Sequence, residues 1–275
     1  MLAQRRVQVT DGVFLAVRDR SPETCDGRPV VLVHGLASTS RLWDGVAEHL
    51  AATGRRSVSV DLRGHGESDA PDGGYDTSTA ADDLAALLPQ VSDVPVTLAG
   101  QSWGGNVALE VAARRPDLVA GLALVDGGWI ALSRRFASWD EAAGVLAPPA
   151  IDGLPWADFR VMVSESLVDF PADAVDAAAS VVRVADDGTI RRRLTVERHM
   201  QILRSMWDDD PDQRYPLVRC PTVLMPATTG DGLPDEVARA LDALPDVRLS
   251  VYPDAHHDIH LQWPVEVADD IGSLP

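Results

Sequence analysis

The sequence predicts an α/β protein with a mostly parallel sheet and helices on both faces. Uninterrupted apolar segments of strand length alternate with segments of helical length as far as residue 125, and the same alternation resumes after residue 216. Strands that are apolar throughout are buried on both faces, which is typical of parallel sheets covered by helices. With 275 residues, the chain is long enough for one large domain with an insertion.

The first part of the chain predicts a β-hairpin followed by four strands and three helices. The hairpin joins residues 6–10 to residues 13–18 through Asp11-Gly12, a strong signal for a two-residue turn. The elements that follow are, in chain order, the strand 29–33, the helix 41–52, the strand 57–61, the helix 77–88, the strand 94–99, the helix 103–114 and the strand 119–125.

The later part of the chain returns to this alternation after a helical interruption. The final elements are the strand 222–225, the helix 235–244, the strand 248–251 and the helix 265–274, and the interruption carries helices at 139–146, 155–170, 172–182 and 195–206. We therefore predict an α/β core of residues 1–128 and 216–275 and a helical cap or lid of residues 129–215. Four of the seven tryptophans lie in the insertion, so we expect a lid with an apolar inner face over the carboxyl edge of the sheet, where such proteins bind ligands.

Composition excludes several functional classes. The net charge is −18 and all 24 basic residues are arginine, which excludes a P-loop lysine, a Schiff-base lysine and a serine–lysine dyad. The acidic balance argues against nucleic acid or an anionic membrane surface as a partner. The two cysteines form neither a disulfide framework nor a metal site. The N-terminus lacks the apolar core of a signal peptide and no run approaches 18 apolar residues, so we expect a soluble, cytoplasmic protein.

The segment 96–105 (VTLAGQSWGG) carries the most specific signal in the chain. A short apolar strand turns into a helix at Ser102, and glycines stand two residues before and two residues after it. This G-x-S-x-G pattern places a serine on a sharp strand-to-helix turn with its hydroxyl exposed. The helix that follows directs its N-terminal N–H groups at the space where an oxyanion would form. Ser102 is therefore the candidate nucleophile.

A serine nucleophile needs a base, and the loop 252–260 (YPDAHHDIH) follows the last predicted strand. At this point the chain resembles the α/β-hydrolase superfamily, as a capped member with a serine nucleophile. In that superfamily this loop usually reads Gly-His-Asp, with the histidine as general base. The resemblance assigns this role to His257, with His256 at the usual glycine and as the alternative base. It implies a structural role for His260.

The resemblance covers nearly the whole chain and adds an oxyanion hole. The segment 33–36 (VHGL) matches the oxyanion loop of the superfamily, and residues 61–68 (DLRGHGES) match its D-x-R-G-x-G-x-S turn. The resemblance implies that the backbone N–H groups of Leu36 and Trp103 bind the oxyanion. It also implies structural roles for His34 and His65. The expected fold is the α/β-hydrolase fold, with the helical cap inserted after the sixth strand.

Two aspartates are candidates for the acid of the triad. Most relatives place the acid after the seventh strand, where the loop 225–232 offers Asp231, one residue beyond the usual spacing. Another branch, which includes some haloalkane dehalogenases, carries the acid directly after the sixth strand. Asp126 stands there, 24 residues beyond Ser102. A carboxylate buried at a strand end needs a partner, and a histidine N–H would serve. We favour Asp126 and keep Asp231 as the alternative.

Together these residues predict a serine hydrolase that cleaves an ester, lactone or thioester of a small, largely apolar molecule through an acyl-enzyme. The alternatives are a non-hydrolytic tailoring enzyme on the same triad (a perhydrolase or acyltransferase), a C–C hydrolase, or a ligand receptor without catalysis. No cofactor and no metal ion is expected. The expected partner is a small-molecule substrate, and the sequence identifies neither that substrate nor the oligomeric state.

Overall fold

The computed structural model describes residues 1–25, 27–229 and 232–275. Eight of its strands form one sheet. They are β1 (Leu2–Thr10), β2 (Val13–Arg20), β3 (Val30–Val33), β4 (Ser57–Val60), β5 (Val96–Gln101), β6 (Val119–Val125), β7 (Thr222–Met225) and β8 (Val247–Leu249). Their spatial order is β1-β2-β4-β3-β5-β6-β7-β8. The β1–β2 hairpin is antiparallel and β2 pairs antiparallel with β4, whereas β3 to β8 run parallel. The predicted fold class is confirmed.

Eleven α-helices accompany the sheet in the described part of the chain. They are α1 (Asp44–Ala52), α2 (Thr77–Val91), α3 (Trp103–Arg114), α4 (Leu132–Arg135), α5 (Trp139–Leu146), α6 (Trp156–Ser166), α7 (Ala174–Ala179), α8 (Val196–Asp208), α9 (Asp235–Ala243), α10 (Ile259–Gln262) and α11 (Pro264–Gly272). Helices α4 to α8 all lie between β6 and β7. We call residues 129–215, which contain them, the insert.

The alternation of side chains along β3 shows why helices cover both faces of the sheet. β3 is buried along its whole length, and successive side chains of a strand point to opposite faces. Val31 and Val33 belong to the apolar core formed with α2 and α3. Val30 and Leu32 belong to a second core, formed with α1 and α11. A strand without a polar face is stable only between two such layers, which fixes β3 at the centre of the sheet.

The insert shows the largest difference between predicted and observed elements. The helix predicted at 155–170 ends at Ser166, and the helix predicted at 172–182 covers only Ala174–Ala179. Val182–Val184 instead forms a short hairpin with Ile190–Arg192, and its turn contains Gly188 at a φ of 78°. Two β-branched residues followed by an Asp-Gly turn favour a hairpin over a helix, and this local signal explains the difference.

The insert contacts the loops at the carboxyl ends of two strands, β3 and β4. The Thr39 and Ser180 hydroxyls are 2.6 Å apart, and the Arg193 guanidinium donates to Gly66 O (3.0 Å). These core residues lie in the loops after β3 and β4. None of the helices in the described part of the chain combines the length and apolar character needed to cross a membrane.

Candidate active site

Ser102 lies at the sharp turn between β5 and α3. Its backbone is left-handed, with φ 52° and ψ −125°, a conformation that is costly for a residue with a side chain and persists only where the surroundings hold it. Two hydrogen bonds do so here. The Ser102 N–H donates to Val125 O (3.1 Å), and the Gly105 N–H donates to Ser102 O (2.9 Å). The half-buried serine thus stands at the carboxyl edge of the sheet.

Two glycines allow neighbouring backbone to come close to this turn. A Cβ atom on Gly104 would overlap the carbonyl oxygen of His34, and a Cβ atom on Gly35 would lie 2.9 Å from Ser102 Cβ. Any larger residue at either position would push the chain segments apart. The loop that follows β3 therefore lies directly against the serine.

The two predicted oxyanion donors belong to the two segments that adjoin Ser102. Leu36 follows Gly35 in the loop after β3, and Trp103 is the first residue of α3. The first N–H groups of a helix have no partner within it, and neither the Leu36 N–H nor the Trp103 N–H donates to any residue that the structure describes. Two free N–H groups beside a serine are the arrangement that stabilises an oxyanion.

His34 holds the loop after β3 in place. Its Nε2 accepts the Leu62 N–H (3.0 Å), and its Nδ1 donates to Gly35 O (2.7 Å). The ring is fully buried. Burial lowers its pKa to about 4, against the opposing effect of the Gly35 carbonyl. A histidine that accepts at one nitrogen and donates at the other is neutral, and here it connects the loops after β3 and β4.

His65, in the loop after β4, makes the corresponding hydrogen bond back to the loop after β3. Its Nε2 accepts the Ala37 N–H (3.2 Å), and its Nδ1 donates to Arg63 O (2.9 Å). Burial, together with the His34 ring 4.9 Å away, lowers the pKa of His65 to about 3. Both histidines are therefore neutral and hold the loop after β3 by hydrogen bonds.

His257 has a carboxylate partner instead of a carbonyl. Its Nδ1 lies 2.5 Å from Asp126 Oδ2, and 48% of its side chain is exposed. Partial burial on its own would lower the pKa of His257, but the hydrogen bond and charge of Asp126, with a smaller contribution from Asp258, raise it above the ordinary value of 6.5. Donation from Nδ1 to the carboxylate leaves Nε2 free for a proton transfer.

Asp126 is fixed at the end of β6 by three hydrogen bonds. Its N–H donates to Met225 O (2.9 Å), its Oδ1 accepts the Ala227 N–H (3.1 Å), and its Oδ2 is the atom that contacts His257. Its φ is 41°, a left-handed value that aspartate tolerates better than most residues. Only 18% of its side chain is exposed, so the imidazole is its principal partner. Asp231, the alternative acid, lies outside the described residues.

Gln101 connects the serine turn to the histidine loop. Its side-chain amide donates to His257 O (3.2 Å), and it immediately precedes Ser102. The Ser102 hydroxyl itself makes no hydrogen bond to a described residue, His257 included; such bonds are often formed only when substrate is bound. Sequence reasoning did not identify Gln101, although a glutamine at the end of a buried strand was the available signal.

The other two histidines of the loop lie elsewhere. The His256 ring packs edge-on against Phe170 of the insert, with ring centres 5.3 Å apart. His260 is fully buried with its ring 4.4 Å from that of Trp43, and burial lowers its pKa to about 4. In the described ranges, no group of three or more histidine, cysteine, aspartate or glutamate side chains is arranged to hold a metal ion.

Comparisons with known proteins agree with this fold. A family model described as the α/β-hydrolase fold matches residues 28–149. The chain is 26% identical over 251 residues to the mouse sn-1-specific diacylglycerol lipase ABHD11, covering 89% of this chain and 80% of that protein. It is 42% identical over 98 residues to the lipase LipV of Mycobacterium tuberculosis, covering 35% of this chain and 36% of the lipase.

Similarity to solved structures extends over nearly the whole chain. The crystal structure of E-2-(acetamidomethylene)succinate hydrolase superposes with a TM-score of 0.81 at 25% identity, covering 98% of each chain. The sheet order, the strained serine turn and these relatives lead to one assignment. The protein has the α/β-hydrolase fold and is a hydrolase, similar in sequence to proteins named as lipases.

Proposed function

We propose that the protein is a serine carboxylic ester hydrolase that acts on a small, largely apolar ester, lactone or thioester. Ser102 is the nucleophile, His257 the general base and Asp126 the acid of the triad, and the Leu36 and Trp103 N–H groups form the oxyanion hole. The observation that carries the proposal is the His257–Asp126 hydrogen bond, made at the same sheet edge as the strained turn of Ser102.

The reaction follows from the hydrogen-bonding roles. His257 Nε2 takes the proton of the Ser102 hydroxyl as Oγ attacks the carbonyl carbon of the substrate, and the resulting oxyanion binds the Leu36 and Trp103 N–H groups. The carbon–oxygen bond of the ester then breaks, and the imidazolium gives its proton to the departing alkoxide. Water loses a proton to His257 and attacks the acyl carbon. The bond from that carbon to Ser102 Oγ then breaks, Oγ takes the proton back from His257, and the acid leaves.

Asp126 keeps His257 in the reactive tautomer during these steps. Its carboxylate accepts from Nδ1 and stabilises the imidazolium that forms after each proton transfer. The raised pKa of His257 is consistent with that role, because the same interaction that raises the pKa favours the charged intermediate.

We propose further that the insert is a lid over an α/β core of residues 1–128 and 216–275. Its contacts with Thr39, Gly66 and His256 reach the loops after β3, β4 and β8. A cavity of about 210 Å³ lies between the loop after β3 and the insert, with mostly apolar walls. An apolar enclosure of this kind favours small, largely apolar substrates and limits access of water.

The test is hydrolysis of p-nitrophenyl esters by the wild-type protein and by Ser102→Ala. We expect the substitution to lower kcat by roughly a thousandfold or more, because only the oxyanion hole would remain. Ser166→Ala is the matched control, since Ser166 is an exposed serine of α6, and it should leave kcat unchanged. A fluorophosphonate probe should label the wild-type protein and Ser166→Ala, but not Ser102→Ala.

Retained turnover in Ser102→Ala would exclude the proposed nucleophile. Product analysis in the same assay, with and without an alcohol or hydrogen peroxide, distinguishes hydrolysis from acyl transfer and perhydrolysis. If the main product is the transferred acyl group, the triad assignment stands, and the function is acyl transfer or perhydrolysis instead of hydrolysis.

A further inference from the structure

The cavity beside the oxyanion loop has two kinds of wall. On the core side it is lined by Ala37, Ser38 and His65, and on the insert side by apolar side chains that include Phe159 and Met162. Ala37 stands two residues beyond Gly35, which abuts Ser102. The cavity therefore adjoins the loop that lies against Ser102. An apolar protein cavity of about 150 Å³ holds one benzene ring, so a volume of about 210 Å³ accommodates a substituted ring.

The charged groups of this cavity already have partners. Arg192 pairs with Asp152 (2.6 Å). Arg193 pairs with Glu67 (2.7 Å) and donates to the carbonyl oxygens of two further residues. A ligand carboxylate or phosphate would have to displace these partners. The cavity is thus built for a neutral group.

His199, on α8, has one ring nitrogen, Nδ1, that is available as a hydrogen-bond acceptor. Its Nε2 lies 3.2 Å from Leu146 O. A carbonyl oxygen only accepts, so Nε2 carries the proton and Nδ1 is left with a lone pair. Burial, with a contribution from Arg192, lowers the pKa of His199 despite the Leu146 carbonyl, and the ring is neutral near pH 7. Only 7% of the residue is exposed, and it lines the cavity.

A second polar group stands on the facing wall. Ser38 is 8% exposed, and its hydroxyl has no hydrogen-bond partner in the part of the chain that the structure describes. A buried polar atom without a partner costs stability. A hydroxyl is a neutral ligand group that can both donate to His199 Nδ1 and accept from a serine hydroxyl.

We propose that this cavity binds a neutral, ring-sized part of the substrate that carries a hydroxyl group, and that His199 Nδ1 accepts the hydroxyl proton. The preferred substrates are then esters of hydroxylated aromatic or short branched molecules. This inference rests on the proposed function for its kinetic test, and it names the substrate class of that site. Ser38 is the second contact of the same hydroxyl.

The experiment compares methyl phenylacetate with its 2-, 3- and 4-hydroxy derivatives, and 2-phenylethyl acetate with 2-(4-hydroxyphenyl)ethyl acetate. A methylene or ethylene spacer separates the ring from the reacting ester, so the hydroxyl changes binding more than carbonyl reactivity. We expect at least one hydroxylated ester to have a kcat/KM about tenfold above its parent, the effect of one hydrogen bond that would otherwise leave a buried acceptor unpaired.

The variants assign the preference to His199. His199→Phe keeps a ring but removes the acceptor. The ratio of kcat/KM for the hydroxylated ester to that for its parent should then fall to about one, because only the hydroxylated ester is slowed. His199→Asn, whose amide oxygen stands near the position of Nδ1, should retain part of the preference. His49→Phe is the control, because His49 lies on α1 and contacts Asp269, away from the cavity. Melting temperatures verify that each variant folds.

A binding measurement separates failure of this inference from failure of the proposed function. Calorimetric titration of the wild-type protein with p-cresol and with toluene does not depend on turnover. We expect p-cresol to bind about tenfold tighter than toluene in the wild type and equally in His199→Phe. If no ester is hydrolysed but p-cresol is preferred, the inference stands and the proposed function falls. The inference is overturned if the wild type shows no hydroxyl preference in either assay, or if His199→Phe retains it.

Discussion

His34 and His65, in the loops after β3 and β4, and His257, in the loop after β8, are in opposite electrostatic states. His34 and His65 are held by backbone groups alone, and burial lowers the pKa of both. His257 has the Asp126 carboxylate as partner, and its pKa is raised. A carbonyl dipole does not offset the loss of hydration of an imidazolium, whereas a carboxylate does. The partner of each ring therefore decides whether the ring stays neutral or takes up a proton readily.

The largest expected effect comes from removing that partner. Asp126→Asn should lower kcat for p-nitrophenyl esters by about 10³- to 10⁴-fold. The asparagine oxygen can still accept the Ala227 N–H, but its NH₂ group would face His257 Nδ1 and impose the wrong tautomer. Steady-state kinetics, with a melting curve to verify folding, provide the measurement.

Asp231→Asn is the matched variant, since Asp231 is the other candidate acid. It should leave kcat within about threefold of the wild type, because a residue outside the triad has little effect on the chemical step. The reverse result, a large loss in Asp231→Asn and a small one in Asp126→Asn, would transfer the role of acid to Asp231.

The pH dependence of activity should report on His257, and the pH dependence of stability on His34 and His65. His257 must be neutral to accept a proton, so kcat/KM should fall on the acid side with a pKa above 6.5. His34 and His65 stay neutral in the folded protein down to about pH 4 and about pH 3, whereas the unfolded chain takes up protons below about pH 6.5. Stability is then independent of these two groups at high pH and decreases as the pH falls below 6.5.

This loss has a predictable size. Each buried neutral histidine should lower the free energy of unfolding by roughly 2 kcal/mol between neutral pH and pH 5. Urea denaturation from pH 5 to pH 8 measures it. His65→Gln can still accept the Ala37 N–H. It should reduce the dependence of the free energy of unfolding on pH by the uptake of one proton, and it should not move the acid limb of kcat/KM. A shift of that limb in His65→Gln would contradict the division of roles between His257 and the buried histidines.

The sequence was sufficient for the sheet and for the serine turn because their signals are local. The G-x-S-x-G pattern of residues 100–104 and the uninterrupted apolar strands lie within short windows, and α3 begins and ends where predicted. The placement of Asp126 at the same edge as Ser102 also followed from a general rule, since carboxyl ends of parallel strands meet at one edge.

Other features depend on contacts between distant segments. The Gln101 hydrogen bond to His257 O joins residues 156 positions apart, and the acceptor state of His199 depends on a carbonyl 53 positions away. No periodicity carries such information. The hairpin at Val182–Arg192 was missed for another reason, because its strands are only three residues long and merge with a helical pattern in any longer window.

The smallest expected effect concerns the hydrogen bond that joins the insert to the loop after β3. The Ser180 hydroxyl donates to Ala177 O (2.6 Å), so it accepts the hydroxyl proton of Thr39 at 2.6 Å. Ser180→Ala should lower the free energy of unfolding by about 1 kcal/mol and the melting temperature by roughly 2–4 °C. Because the loop after β8 does not share this bond, the acid limb of kcat/KM should stay in place and kcat should change by less than about threefold. Ser166→Ala, on an exposed face of the same insert, is the control for both readouts. A displaced acid limb in Ser180→Ala would mean that the insert couples the two loops, and His257 would then titrate as part of a larger unit.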